Sequence, residues 1–326
     1  MTVLIALIDK SEHAAAEVTF QPVSLASQPE VERAPLVSPG IRAMAIGAFW
    51  FSIMGLLVKL AGRRLGSMEI VLARSVITLG LSWWSLWRLG ISPLGTNRRL
   101  LFVRGLLGST ALLFYFYSIV HLPLGEATLI QYTNPVFATV LAAVILRESL
   151  RAREIVCLVA SLLGVLFVAH PPSGLAPDSP ATNPLYIGAA LVGAACSGSA
   201  YTLVRKMRGA EHPLVIVGYL PLLSVPMSMP FAIAQWQWPD AREWLLLIGV
   251  GVTTQLAQIS MTRGLQLERT ARATTAGYLQ VAFAVLWGAI FLGEIPDVWT
   301  LAGAVTIIGS TLVLTWSKSA DGDAST

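Results

Sequence analysis

Ten polar side chains stand inside or at the ends of long apolar runs in this chain: Lys59, Arg74, Gln131, Tyr132, Asn134, Tyr201, Gln255, Gln258, Tyr278 and Gln280. Gln131 and Asn134 are three apart and share a helical face, as do Gln255 and Gln258, with Thr262 four further on. Tyr201 follows Ser197 and Ser199 in a Gly/Ala-rich stretch. Amides and hydroxyls both donate and accept hydrogen bonds, so this set has the chemistry to line a path for a polar solute. Lys59 and Arg74 would attract an anionic group such as a carboxylate, and Arg74, nearer the middle of its run, is the better placed. A plainer reading stands beside this one. Polar groups in apolar helices also bond one helix to the next, for about 0.6 kcal/mol per pair, and Lys59 and Arg205, each closing a run, can snorkel to headgroups.

Other chemistries lack their residues. An integral-membrane enzyme needs convergent His, Asp, Glu or an activated Ser or Cys. The four histidines fall in loops or the tail without metal-ligand spacing, and the two cysteines, Cys157 and Cys196, lie inside apolar runs. No metal site and no cofactor is implied. A channel is the third class, one that would need a ring of charges or carbonyls from an oligomer. All 18 Asp and Glu residues fall in tails, loops or run ends, so ion coupling through a mid-membrane carboxylate is not expected.

Positioning such residues falls to helices in lipid. Of 326 residues, 55% are hydrophobic and 12% charged, against about 25% charged in a soluble domain. Apolar runs of roughly 17 to 22 residues recur, the length that crosses a bilayer core. They predict an all-α membrane protein with transmembrane helices at residues 41–60, 68–88, 102–120, 125–146, 154–170, 184–204, 214–234, 243–262, 273–292 and 298–316. Residues 1–40 are expected to form a disordered tail, and 317–326 a short polar one. The net charge of +4 is the ordinary bias of a membrane protein retaining basic loops and calls for no nucleic acid.

The chain is doubled. Tyr132 matches Tyr278, Phe137 and Ala138 match Phe283 and Ala284, and Glu148 matches Glu294, all at one offset, 278 − 132 = 146. Gly47 with Ala48 maps onto Gly193 with Ala194 at that same offset, and Gly105 and Ala111 onto Gly251 and Ala257. This is one ancestral unit duplicated, with halves at 41–171 and 184–316 joined by an external linker at 172–183. Five spans per half is odd, so the second half inserts upside down. With both termini cytoplasmic, Arg88, Arg98, Arg99, Arg104, Arg147, Arg151, Arg153, Arg205, Lys206, Arg208, Arg263, Arg269 and Arg272 face inward, against Lys59, Arg63, Arg64 and Arg242 outside. Two halves of opposite orientation can exchange shapes, giving inward-open and outward-open states of similar energy around a central cavity.

Asn134-Pro135-Val136-Phe137 through Leu146-Arg147-Glu148, with Gln280-Val281-Ala282-Phe283 through Leu292-Gly293-Glu294 in the second half, resembles the EamA-type repeats of the drug/metabolite transporter superfamily. Lys59 closing the first span and Arg74 in the second fit the same pattern. The resemblance covers about residues 41–316 and implies a ten-helix inner-membrane transporter of small organic solutes: amino acids, nucleotide-like metabolites or drugs. Pro135 is then a hinge or a tolerated membrane proline; Val281 stands where the family has proline, leaving span nine without one. Glu148 and Glu294 are expected to complement the helix dipole of the span that follows each. A homodimer is one arrangement the sequence leaves open.

Overall fold

The computed structural model describes residues 37–121, 130–169, 184–234, 236–293 and 298–323. The linker at 172–183, Glu294 and nearly all of the N-terminal tail therefore lie outside the described residues. The elements are α1 (Pro39–Ala61), α2 (Ser67–Arg88), α3 (Arg98–His121), α4 (Asn134–Ile145), α5 (Ala152–Ala169), α6 (Pro184–Lys206), α7 (Pro213–Ala234), α8 (Ala241–Leu267), α9 (Thr270–Gly277), α10 (Leu279–Leu292) and α11 (Val298–Asp323). Among the described residues, six helices are long and apolar enough to cross a bilayer: α1, α2, α6, α7, α8 and the run Thr270–Phe291.

Local chemistry explains the ends. Ser38 accepts from the Ile41 amide with Pro39 opening α1, a side-chain cap followed by a residue with no amide to satisfy. Asp240 and Glu243 form a capping box at α8. Arg64 donates to that Glu243, and the acceptor holds the Arg64 guanidinium above its ordinary pKa. α8 runs on past the expected end at 262 to Leu267 and buries Thr262, Leu265 and Gln266. α11 continues through residues 317–323, where a polar tail was expected.

Shifting by 146 residues turns the packing pattern into itself. α1 packs on α8 as α6 packs on α3; α1 packs on α10 as α6 on α4; α2 packs on α8 as α7 on α3. The equivalent helices α2 and α7 pack on each other, as do α5 and α11. Such reciprocity marks a two-fold relation between halves. The contacts repeat at atomic detail: a Cβ on Gly47 would meet the Ala257 carbonyl at 3.3 Å, and one on Gly193 the Ala111 carbonyl at 3.4 Å. Small residues let these helix backbones approach.

Two corrections concern span four. The sequence predicts one helix over 125–146 with Pro135 inside it, as a hinge or a tolerated membrane proline. The chain instead turns at Tyr132 and Thr133, and α4 starts at Asn134 with Pro135 in its first turn. There a missing amide removes no helical bond, since the first turn's amides have no partner. Span nine breaks at the equivalent place, between α9 and α10 at Tyr278, without any proline. The break therefore belongs to the repeat and not to Pro135.

Candidate functional site

The two breaks touch. The Tyr278 hydroxyl donates to the Tyr132 carbonyl at 2.7 Å, and the rings lie 6.1 Å apart. Residues that contact their own repeat mate must sit beside the two-fold relating the halves. Tyr278 is buried, Tyr132 half-buried, and Tyr132 lies within electrostatic reach of Tyr115 and Tyr201. The carbonyls at the breaks are occupied: Tyr132 accepts from Tyr278, Thr133 from the Val136 amide and Tyr278 from the Val281 amide, so the two tight turns join the halves at this point.

A narrow polar cleft lies where α2, α7 and α8 meet. Its volume is about 10 Å³, room for one water, and it is lined by Arg74, Ser75, Thr78, Ser224, Thr254, Gln255 and Gln258 together with Val217, Leu220 and Pro221. Each wall has a sequence reason. Ser75, Thr78, Ser82 and Ser85 are buried at spacings of three, four and three, one face of α2. α7 carries Pro221, Pro226 and Pro230 inside the helix. Pro221 has no amide to donate to the Val217 carbonyl one turn before it. Ser224 donates to Ser75 at 3.0 Å, holding α7 to α2.

The predicted residues divide. Arg74 and Gln258 line the cleft, and Arg74 has only the Met54 thioether near it, Nη1 to Sδ 4.0 Å. Gln255 also lines it, yet is wholly buried and exchanges hydrogen bonds with Ser82 at 3.0 and 3.2 Å, so it ties α8 to α2. Tyr201 is half-buried on α6, within electrostatic reach of Arg104. Asn134 donates to Ser197 at 3.3 Å and serves helix packing: a Cβ on Gly198 would lie 2.7 Å from the Asn134 carbonyl and the Ala138 amide. Gln131 and Gln280 are half-buried beside the two breaks. Lys59 is exposed in the last turn of α1 and does not join Arg74 at the cleft.

Two ionic assignments change. Glu148 was expected to serve the helix that follows it, but Glu154 holds that place, accepting from the Arg151 amide at 3.2 Å. Glu148 instead accepts from the Thr270 amide at 3.0 Å, at the start of α9, and pairs with Arg205 at 2.8 Å. Arg205 also donates to the Gln266 carbonyl, so it is committed inside the protein and not spread toward headgroups. Arg147, preceding Glu148, has φ 55°, the left-handed conformation that its repeat mate Gly293 takes at φ 68°. The Leu-x-Glu motif thus carries a turn that ends the helix and aims the acid back across the bundle.

One functional residue was missed. Arg104 was counted among the inward-facing loop charges, yet it lies inside α3 and is 2% exposed. One terminal nitrogen donates to Gln258 at 3.4 Å; its Nε and other terminal nitrogen have no partner. The apolar Leu100–Val103 run before it was the available signal, since a charge following four apolar residues is already within the helix.

The chain was then compared with known proteins. The EamA-like transporter family matches residues 38–169 and again 184–316. The pseudopaline exporter CntI of Pseudomonas aeruginosa is 29% identical over 284 residues, 87% of this chain and 98% of its own. Human solute carrier family 35 member G1 is 26% identical over 88% of this chain and 81% of its own. The S-adenosylmethionine uptake transporter of Rickettsia prowazekii is 26% identical, covering 83% and 93%. A solved crystal structure superposes with a TM-score of 0.75 at 18% identity, over 84% of this chain and 95% of the other, which speaks for the fold alone.

Proposed function

The chain belongs to the EamA-like transporter family, and from that premise we propose that it carries a small organic solute across a cell membrane by alternating access. In this reading ten spans form two inverted five-helix halves, with both termini cytoplasmic, and the solute passes through the cleft of α2, α7 and α8. The observation that carries the proposal is the meeting of equivalent helix breaks at Tyr132 and Tyr278 between two reciprocally packed halves. Two halves of one design can interchange their shapes, so closed-inside and closed-outside states differ little in energy. At about 10 Å³ the cleft is far below the roughly 300 Å³ at which ligand pockets begin, so in this reading the structure is the closed form and the solute enters only when the helices part. A pseudopaline exporter, a riboflavin transporter and an S-adenosylmethionine uptake transporter among the relatives support this reading; the solute of this chain is an organic metabolite of that general size.

Counterflow in proteoliposomes tests the proposal. Vesicles containing the full chain are loaded with amino acids, nucleosides or organic acids in turn, and uptake of the same labelled compound is followed. Saturable uptake accelerated by internal solute is expected for at least one compound. A flux that rises linearly with concentration, or a single-channel current, would overturn the carrier reading.

A further inference from the structure

Arg74, half-buried, and Arg104, buried, lie inside helices, and neither has an ion-pair partner among the described residues. Arg64, Arg205, Arg269 and Arg272 each meet a carboxylate. An ionised side chain taken out of water needs a counter-charge or a full set of hydrogen bonds. Arg104 has one bond, to Gln258, and two orphaned nitrogens. Arg74 has a thioether, a weak acceptor.

The two cations serve one space. Gln258, which accepts from Arg104, lines the cleft with Arg74. Leu220, another lining residue, packs where a Cβ on Gly108 would stand, 2.7 Å away, with an Arg104 terminal nitrogen 3.6 Å from that same point. Ser75 on α2 bonds Ser224 on α7, while Gly105 on α3 abuts the Tyr219 carbonyl on α7. Arg74 and Arg104 therefore stand at α7 levels about six residues apart, or about 9 Å of helix rise. An arginine side chain spans much of that interval, and Arg104 extends toward Gly108, into it.

We propose that the cleft takes an organic anion, holding its carboxylate or phosphate between the guanidiniums of Arg74 and Arg104. The proposal rests on the transporter reading and adds the charge class of the solute. A planar guanidinium presents paired donors matched to an oxyanion. The Thr78 hydroxyl, which donates to the Arg74 and Ser75 carbonyls, can still accept, and the Gln258 amide, whose oxygen accepts from Arg104, can still donate to groups on the body of the solute. The empty site is poorly compensated and the occupied one neutralised, so solute binding favours the closed form.

Thermal melting of the full chain in detergent tests this. The probes are acetate, succinate and 3-phosphoglycerate, against acetamide, succinamide and glycerol, with chloride and inorganic phosphate as further arms. At least one organic anion is expected to raise the melting temperature and its neutral partner not to. Arg74→Met and Arg104→Met should each weaken that response at least tenfold in the concentration required. Without solute, Arg104→Met should melt at or above the wild-type temperature, because it removes an uncompensated buried charge. Arg104→Lys, keeping charge but losing the fork, should fall between. Equal responses to acid and amide, a response to chloride or phosphate alone, or no response to any organic anion overturns the proposal. So does a lowered solute-free melting temperature in both Arg104 variants, which would mark the residue as structural. Counterflow separates the two readings: neutral-solute transport surviving in Arg74→Met and Arg104→Met leaves the carrier standing and removes the anion site.

Discussion

The halves share their frame and differ in their chemistry. Positions 74 and 104 hold arginine in the first half; 146 residues on, 74 + 146 = 220 and 104 + 146 = 250, the second half holds Leu220 and Val250. Both are buried, and Leu220 faces Arg74 across the cleft. Conversely, Gln255 and Gln258 of the second half correspond to Ser109 and Leu112. In the proposed carrier, glycine pairs, helix breaks and packing partners stay equivalent because both of its conformations need them. A solute is not two-fold symmetric, so the groups proposed to hold it need not be either. In that reading symmetry is kept where the protein moves and given up where it binds.

Breaking the frame at unlike mates measures this division. Glu148→Ala leaves the largely buried Arg205 side chain without its counter-charge and should cost about 3 kcal/mol, read as a large drop in melting temperature. An unchanged melting temperature would mean that the pair contributes nothing to stability. Gly198→Ala pushes a methyl into the Asn134 and Ala138 backbone and should cost about 2 kcal/mol. Its mate Ser52 already has a side chain there, accepting from Trp287 Nε1 at 2.9 Å, so Ser52→Ala should cost under about 1 kcal/mol. A silent Gly198→Ala would mean that α4 and α6 are looser than drawn. Gly293→Ala puts a Cβ into a left-handed turn and should cost about 1 kcal/mol, whereas Arg147→Gly should raise stability by a few tenths; the same sign for both would refute a shared turn. Smallest is Tyr278→Phe, which removes the bond to the Tyr132 carbonyl for about 0.6 kcal/mol. Tyr132→Phe, with no equivalent bond from its hydroxyl, should be neutral, and matched losses would show the two tyrosines to be interchangeable.

Most of the helix plan was legible because lipid permits little else: apolar runs of bilayer length must be helices, and one constant offset reveals duplication. Arg74, Gln258, Tyr132 and Tyr278 were legible as polar groups at depth. Arg104 was misplaced because its run was taken to start at 102, and a shift of one turn moves a residue from loop to core. Gln255 looked like a solute ligand until Ser82 was found opposite it; nothing in a single chain pattern tells which polar group has already found a partner. The stripe of Ser75, Thr78, Ser82 and Ser85 had a readable period and was passed over because small hydroxyls occur in any membrane helix.

By itself the sequence determined the solvent, the helices, the repeat and, through odd span number and loop charge, the expectation of inverted halves; these follow from burial and backbone hydrogen bonding, which act along the chain. Only the tertiary structure decided which polar groups satisfy one another and which are left over. Glu148 is spent on Arg205 and α9, Gln255 on Ser82 and Asn134 on Ser197, while Arg74 lines the cleft with only a thioether bonded to it and two nitrogens of Arg104 lie behind Gln258 without a hydrogen bond among the described residues. Pairing depends on distances between residues up to 235 positions apart, and those distances are fixed by how the helices pack.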